Sequence, residues 1–181
     1  EAAIMPKVVE SILAVTEVPL CIDSNEPKIL ESGLKVAPGK PLVNSVNGED
    51  KQLATVLPIV KDRGAAVIGM AIGNEGIPPT AEGRLAAAGK IIEYAAKMGI
   101  PAEDIIIDPL VMTVGHNSMA GLVTLKSIEL IKKEYGVNMS LGASNVSFGL
   151  PDRHSVNSAC LALAIQAGVA CSIPDAIKLG N

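Results

Sequence analysis

The amino-acid sequence predicts an α/β protein assembled from repeated (β/α) units, and three observations carry that prediction. Short apolar runs alternate with amphipathic stretches, the pattern left by parallel strands buried on both faces and joined by crossover helices. Gly64, Gly99, Gly136 and Gly168 each stand where a helical stretch gives way to the next apolar run, as helix-ending glycines do. With 49% hydrophobic residues over 181 positions, the chain can bury one sizeable core in a single domain.

Taken in order, the chain opens on a helix-like segment at 5–15. Strands are expected at 18–23, 41–46, 65–72, 104–110, 137–145 and 169–173. Between them, 26–36, 49–63, 80–98, 122–135 and 154–167 read as helices. In the last helix Val156, Ala159, Cys160, Leu163, Ala164 and Ala167 share one apolar stripe. Gly73 to Gly76 reads as a turn. Right-handed crossovers leave two architectures, an open doubly wound sheet or a (β/α)8 barrel, and periodicity does not separate them.

The chain begins at Glu1 with no strand before its first helix and stops just after the sixth expected strand. The expectation is a fragment that lacks about two units in front and part of one behind, so that six strands become eight in a barrel of about 250 residues.

Composition excludes several functions. Phe148, Tyr94 and Tyr135 are the whole aromatic set, and the net charge is -4, so base stacking and phosphate neutralisation are both poorly served and no nucleic-acid partner is expected. Cys21, Cys160 and Cys171 form no CxxC pair and lie in apolar runs, where a thiol acts as a small hydrophobe and a reducing compartment fits. No apolar run reaches the length of a membrane span and the opening residues are acidic, so a soluble, cytoplasmic protein is expected.

The expected strands finish on polar residues. CIDS carries Asp23 and Ser24, LVNS carries Asn44 and Ser45, IIDP carries Asp108, and the stretch SLGASNVSFGLPDR carries Asn145. In α/β folds such ends meet at the ligand-binding face, which makes one cleft with two carboxylates, two carboxamides and no buried cation from the strands. A heterocycle with an amino group beside a ring N–H suits it, because a carboxylate only accepts while an asparagine both donates and accepts. The plainer alternative makes Asp23 and Asp108 helix caps or turn formers.

Other chemistries lack their signatures. Neither GxGxxG nor GxxxxGK[ST] follows a strand, and His116 and His154 stand apart without metal-ligand spacing, so no bound metal is expected. His116, in VGHNS, either borders the cleft or sits on a surface loop. Met98, Met112, Met119 and Met139 read as packing residues.

CIDS with EPKILESGLK, then PLVNSVNGE, GAAVIGMAI with GIPPTAEGRL, IIIDPL, LGASNVSFGLPDR and NSACLALAIQAG resemble, in that order, the pterin-binding methyltransferases. The nearest resemblance is to methyltetrahydrofolate:corrinoid/iron-sulfur protein methyltransferases, with the folate domain of cobalamin-dependent methionine synthase and dihydropteroate synthase more distant. The resemblance spans essentially the whole chain and implies a (β/α)8 barrel. It implies that Asp23, Asn44 and Asp108 anchor the pterin, that Asn145 is the family's motif asparagine beside N5, and that Arg153 is the arginine after it. Ser144 and Ser147 are expected to support the pterin site, with Arg153 either approaching the folate tail or the partner, or simply starting the next helix.

The implied reaction moves a methyl group between N5 of methyltetrahydrofolate and the cobalt of a corrinoid (cobalamin) on a partner protein, with tetrahydrofolate as the demethylated form. A homodimer is implied as well. The family's first two strands have no counterpart here. Two alternatives are a dihydropteroate synthase-like enzyme, whose late Ser-Arg-Lys motif does not appear where the last strand reads GVACSIP, and a pterin- or folate-binding module without catalysis.

Overall fold

The computed structural model describes residues 2–174. Helix α1 (Met5–Leu13) leads into β1 (Cys21–Asp23), α2 (Pro27–Val36), β2 (Leu42–Asn47), α3 (Asp50–Arg63) and β3 (Ala66–Met70). Then follow α4 (Ala81–Lys97), β4 (Ile105–Asp108), α5 (Ala120–Tyr135), β5 (Asn138–Met139) and α6 (Arg153–Ala167). The strands form one parallel sheet in the order β1-β2-β3-β4-β5. A doubly wound sheet reverses its strand order at a switch point, whereas a barrel adds each strand beside the last, so this order is that of an arc of a (β/α) barrel.

The core is aliphatic and lies between sheet and helices. Val43, Val67, Ile105, Ile107 and Met139 are buried on the strands, and Leu30, Leu53, Leu57, Ile91 and Ile128 meet them from the helices. Each such side chain contributes roughly 1.5–3 kcal/mol by leaving water. At Gly69 the fit is close: a Cβ there would stand 3.0 Å from Ile91 Cγ2 and 3.1 Å from Ile107 Cδ1, so the missing side chain lets α4 approach β3.

Helix ends follow their local chemistry. Gly64 and Gly136 adopt the left-handed conformation after α3 and α5, with φ 62° and 63°. The Thr80 hydroxyl accepts from Gly83 N at 3.1 Å and starts α4. Gly73 and Gly76 exchange backbone hydrogen bonds in a tight turn, as the sequence predicts.

Three expectations need correction. The strand expected at 137–145 pairs only at Asn138–Met139, and Ala143–Ser147 winds into a 3-10 turn, because the small and polar run after Leu141 cannot sustain a ladder. Residues 169–173 form no regular strand. They still run beside β5, where Ala170 N and Cys171 N donate to Met139 O and Ile173 N donates to Leu141 O. In α6 the apolar stripe is not buried as a face: Ala164 is buried, while Leu163 is 55% exposed.

Smaller differences concern the sulfur residues. Cys21 and Cys171 are exposed, Cys160 is half-buried, and all three are free thiols. Met139 is buried, but Met112 and Met119 are exposed on the segment between β4 and α5. No helix is long and apolar enough to cross a membrane among the described residues.

Candidate functional site

Asp23 ends β1 and Asn44 is its register partner on β2. Asn44 Nδ2 donates to Asp23 Oδ2 at 2.9 Å, and Ser24 N donates to Asn44 O at 2.8 Å, so side chain and backbone both join the end of β1 to the middle of β2. The pairing of β2 with β3 shifts between Asn44 and Val46, leaving Ser45 as an extra residue, and the Asn44–Ser45 peptide is cis. With its N–H₂ turned to the carboxylate, Asn44 keeps its Oδ1 for an incoming donor. Ser24 has a local duty: its Oγ accepts from Glu26 N at 3.1 Å ahead of α2.

Cys21 lies two residues before Asp23 and thus on the same face of β1. Although the residue as a whole is exposed, partial desolvation of its thiol, and then the charge of Asp23, push that thiol up to about 11. A thiol held in that state is not a thiolate nucleophile.

Asp108 ends β4 opposite Met70 of β3. Its Oδ1 accepts from Leu110 N at 2.8 Å in a turn that holds Leu110 at φ 66°. Burial pushes the carboxyl up to about 6, against the opposing pull of the Leu110 and Gly142 backbone N–H groups and of the Arg84 charge. Asp108 therefore does act as a turn former. The same carboxyl also titrates close to neutrality.

Arg84, on α4, is only 2% exposed. Its Nη1 donates to Leu110 O at 2.6 Å and Pro109 O at 3.0 Å, and its Nε donates to Pro78 O at 3.2 Å. The strand-end reading, which found no cation in the strands, misses it because it arrives from a helix. A signal was present: Arg84 falls in the helical row of Ala81, Ala88, Ile91 and Ala95, a core row in which a charged residue is out of place.

The third group of residues is the turn after β5. Ser147 Oγ lies 3.3 Å from Ser144 O, Val114 N donates to Val146 O at 3.0 Å, and Thr113 Oγ1 donates to Phe148 O at 2.9 Å. Arg153, the first residue of α6, donates from Nε to Ser147 Oγ at 3.0 Å and from Nη2 to Ser144 O at 2.9 Å. Its guanidinium lies 4.6 Å from the Phe148 ring centroid. Within this frame Asn145 is exposed, and its amide makes no hydrogen bond among the described residues. A Cβ on Gly142 would stand 3.4 Å from Asn145 Nδ2, so the glycine keeps that amide uncrowded.

The structure thus joins Asp23 to Asn44, and the turn carrying Asn145 to Ser144, Ser147 and Arg153, with Gly142 linking that turn to Asp108. Asp23 and Asp108 end β1 and β4, Asn44 is the third of six residues in β2, and the Asn145 turn follows β5. His116 is exposed between β4 and α5, His154 is exposed on α6, and neither joins these groups. No group of three or more His, Cys, Asp or Glu is placed to hold a metal ion among the described residues. The arrangement offers hydrogen-bond acceptors and one unengaged amide.

A protein-family model described as "Pterin binding enzyme" matches residues 2–173. The chain is 33% identical over 162 residues to a methylcorrinoid:tetrahydrofolate methyltransferase of Eubacterium limosum, covering 88% of this chain and 60% of that protein. It is 32% identical to methionine synthase of Mycobacterium tuberculosis, covering 96% of this chain and 16% of that much longer protein. The chain therefore spans less than two thirds of either curated relative. Among solved structures, a dihydropteroate synthase of Yersinia pestis with a pterine-sulfa conjugate superposes with a TM-score of 0.74 over 95% of this chain and 68% of its own, at 17% identity. That identity carries the fold alone.

Proposed function

The chain belongs to the family of pterin-binding enzymes, and from that premise we propose that it moves a methyl group between N5 of methyltetrahydrofolate and the cobalt of a corrinoid carried by a partner protein. One observation carries the proposal: Asp23, hydrogen-bonded to Asn44, and Asp108 offer acceptors on strands of one parallel sheet, and the turn that carries the unengaged Asn145 amide reaches Asp108 through the Gly142 N–H. The identity of 33% to a methylcorrinoid:tetrahydrofolate methyltransferase supports this chemistry over the synthase alternative. The likeness to dihydropteroate synthases is one of fold and favours no second reaction.

In this reading Asp23, Asn44 and Asp108 accept from the ring N–H and amino groups of the pterin. Methyl transfer to Co(I) breaks the N5–CH₃ bond. The cobalt electron pair forms the new bond, giving methyl-Co(III), and the old bonding pair stays on N5, which takes up a proton. Asn145 has no titrating proton to supply, so its amide stabilises N5 by a hydrogen bond that strengthens as electron density builds there. In the reverse direction the same amide can accept from N5–H as positive charge develops. Ser144, Ser147 and Arg153 hold the turn that presents it. The same reading, through the family, carries a homodimer working in the cytoplasm, which sedimentation and fractionation test.

The experiment follows the visible spectrum of Co(I) and methyl-Co(III) corrinoid with methyltetrahydrofolate as donor. Asn145→Ala should lower kcat by about 10²–10³, as loss of one preorganised hydrogen bond does, while folate affinity stays within a few-fold. An unchanged kcat with intact binding removes Asn145 from the mechanism. Folate binding without any transfer by the wild type makes the chain a binding module, and condensation of a pterin pyrophosphate with p-aminobenzoate makes it a synthase.

A further inference from the structure

Arg84 has no place in the reaction described above, yet it is the most deeply buried cation among the described residues. Burying a guanidinium is costly unless its N–H groups are engaged, so its partners indicate what it does. They are backbone carbonyls and one hydroxyl: Pro78 O after β3, Pro109 O and Leu110 O after β4, and Thr124 Oγ1 of α5 at 3.3 Å. Arg84 donates to no carboxylate. A planar fork of donors suits this task, since several carbonyls in different directions are fixed by one rigid group.

The consequence lies at Leu110. Its carbonyl is drawn to Arg84 Nη1 at 2.6 Å and to the Thr124 hydroxyl at 2.9 Å, and its backbone adopts φ 66°, a conformation unfavourable for a residue with a side chain. The Pro109 carbonyl, held by Arg84 Nη1 at 3.0 Å, shares one planar peptide unit with the Leu110 N–H that donates to Asp108 Oδ1, so fixing the carbonyl fixes the direction of that N–H. We propose that Arg84 is a positioning residue for the carboxylate of Asp108, acting through the backbone of Pro109 and Leu110 that its guanidinium holds. The inference deepens the methyltransferase reading and rests on it only in taking Asp108 as a pterin contact.

Charge adds a second effect at the same place. The groups acting on Asp108 are the N–H of Leu110, the N–H of Gly142 and the Arg84 charge, and all three favour the ionised form against burial. A residue that merely braced α4 against α5 would lower folate affinity only in step with the folded fraction, and a lysine that kept the charge and the fold would bind as wild type does.

The test uses the 181-residue chain with carboxyl-¹³C aspartate, and compares wild type, Arg84→Lys and Arg84→Gln by NMR pH titration, thermal unfolding and calorimetric binding of methyltetrahydrofolate. Arg84→Gln should move the Asp108 midpoint upward and weaken folate binding tenfold or more at pH 7. Arg84→Lys should keep the midpoint close to wild type, because the charge remains, while affinity still falls several-fold, because the fork is gone. Thr124→Val, which keeps the Arg84 charge but removes a hydroxyl that touches both Leu110 O and Arg84 Nη1, should produce a smaller loss of affinity and serves if the arginine variants do not fold. Identical Asp108 midpoints in all variants, with affinity following only the folded fraction, would overturn the proposal. If the wild type binds no methyltetrahydrofolate, the folate reading fails, and the Asp108 titrations alone decide the role of Arg84.

Discussion

Asn44 Nδ2 lies 2.9 Å from Asp23 Oδ2, so the amide of β2 orients the carboxylate that ends β1, and each keeps an acceptor oxygen free of that bond. Asp23 is exposed, and the bond contributes only about 0.5–1.5 kcal/mol to folding. Its larger effect should be on ligand affinity. Asp23→Ala and Asn44→Ala should each weaken methyltetrahydrofolate binding at least tenfold, with a coupling energy of about 1–2 kcal/mol in the double-mutant cycle. Calorimetry on the four proteins measures it, and strictly additive effects would mean that the pair does not act together.

Asp108 should trade stability for binding. Its carboxyl is raised from an ordinary value of 3.8 to about 6, so the folded state holds a proton that the unfolded state releases. The sign follows: below pH 4 both states are protonated and Asp108 costs nothing, from about pH 4 to 6 stability is lost, and above 6 the loss is constant at up to roughly 3 kcal/mol. Asp108→Asn keeps an oxygen for Leu110 N–H and removes the charge. It should therefore gain stability over wild type progressively across that window in urea unfolding, while folate affinity falls. Wild-type affinity should also decline as pH drops below about 6, where the acceptor is lost.

Gly48 tests how tightly the segment that follows β2 is held. Its N–H donates to Ile72 O at 2.8 Å, and a Cβ would stand 2.6 Å from that same oxygen. Backbone cannot swing aside as a flexible side chain does, so Gly48→Ala should destabilise by about 1–3 kcal/mol. It should also weaken folate binding, since the displaced segment continues directly from Asn44. An unfolding midpoint equal to wild type would show that the β2 end yields without cost.

Much of this arrangement was legible in the sequence, and the exceptions have physical reasons. The helix expected at 49–63 is found at Asp50–Arg63 and that at 80–98 at Ala81–Lys97, because apolar periodicity and terminal glycines are local signals. Strand length depends on a neighbour, and β5 has a partner for only two residues, so an apolar run overstates it. Period likewise defines a face on α6 without supplying what covers it, which is why Leu163 is exposed. Asp23 and Asp108 do end their strands as expected, whereas Asn44 lies within β2, which runs three residues past it, and Asn145 lies in the 3-10 turn beyond β5. For Arg84 the helical row shows only that a cation is out of place, because its partners, carbonyls of two segments and a hydroxyl of a third, are brought together only by the fold.

Arg153 illustrates how a residue can serve a site without touching its ligand. It leads α6, but its Nε and Nη2 reach back to Ser147 Oγ and Ser144 O, on both sides of Asn145. Its planar face also lies over Phe148, a contact worth about 0.5–1 kcal/mol at an exposed position. Arg153→Met should preserve some of the packing and lose both hydrogen bonds, leaving the 3-10 turn free to move. The expected result is a 10- to 100-fold fall in kcat, since small displacements of a positioned group are costly, with a much smaller change in folate affinity. Arg153→Lys should recover little, because an ammonium offers a point charge where two bonds and a stacked plane are needed. Steady-state methyl transfer with methyltetrahydrofolate, paired with calorimetric affinity, separates the two effects. A loss confined to affinity would instead place Arg153 on the folate itself.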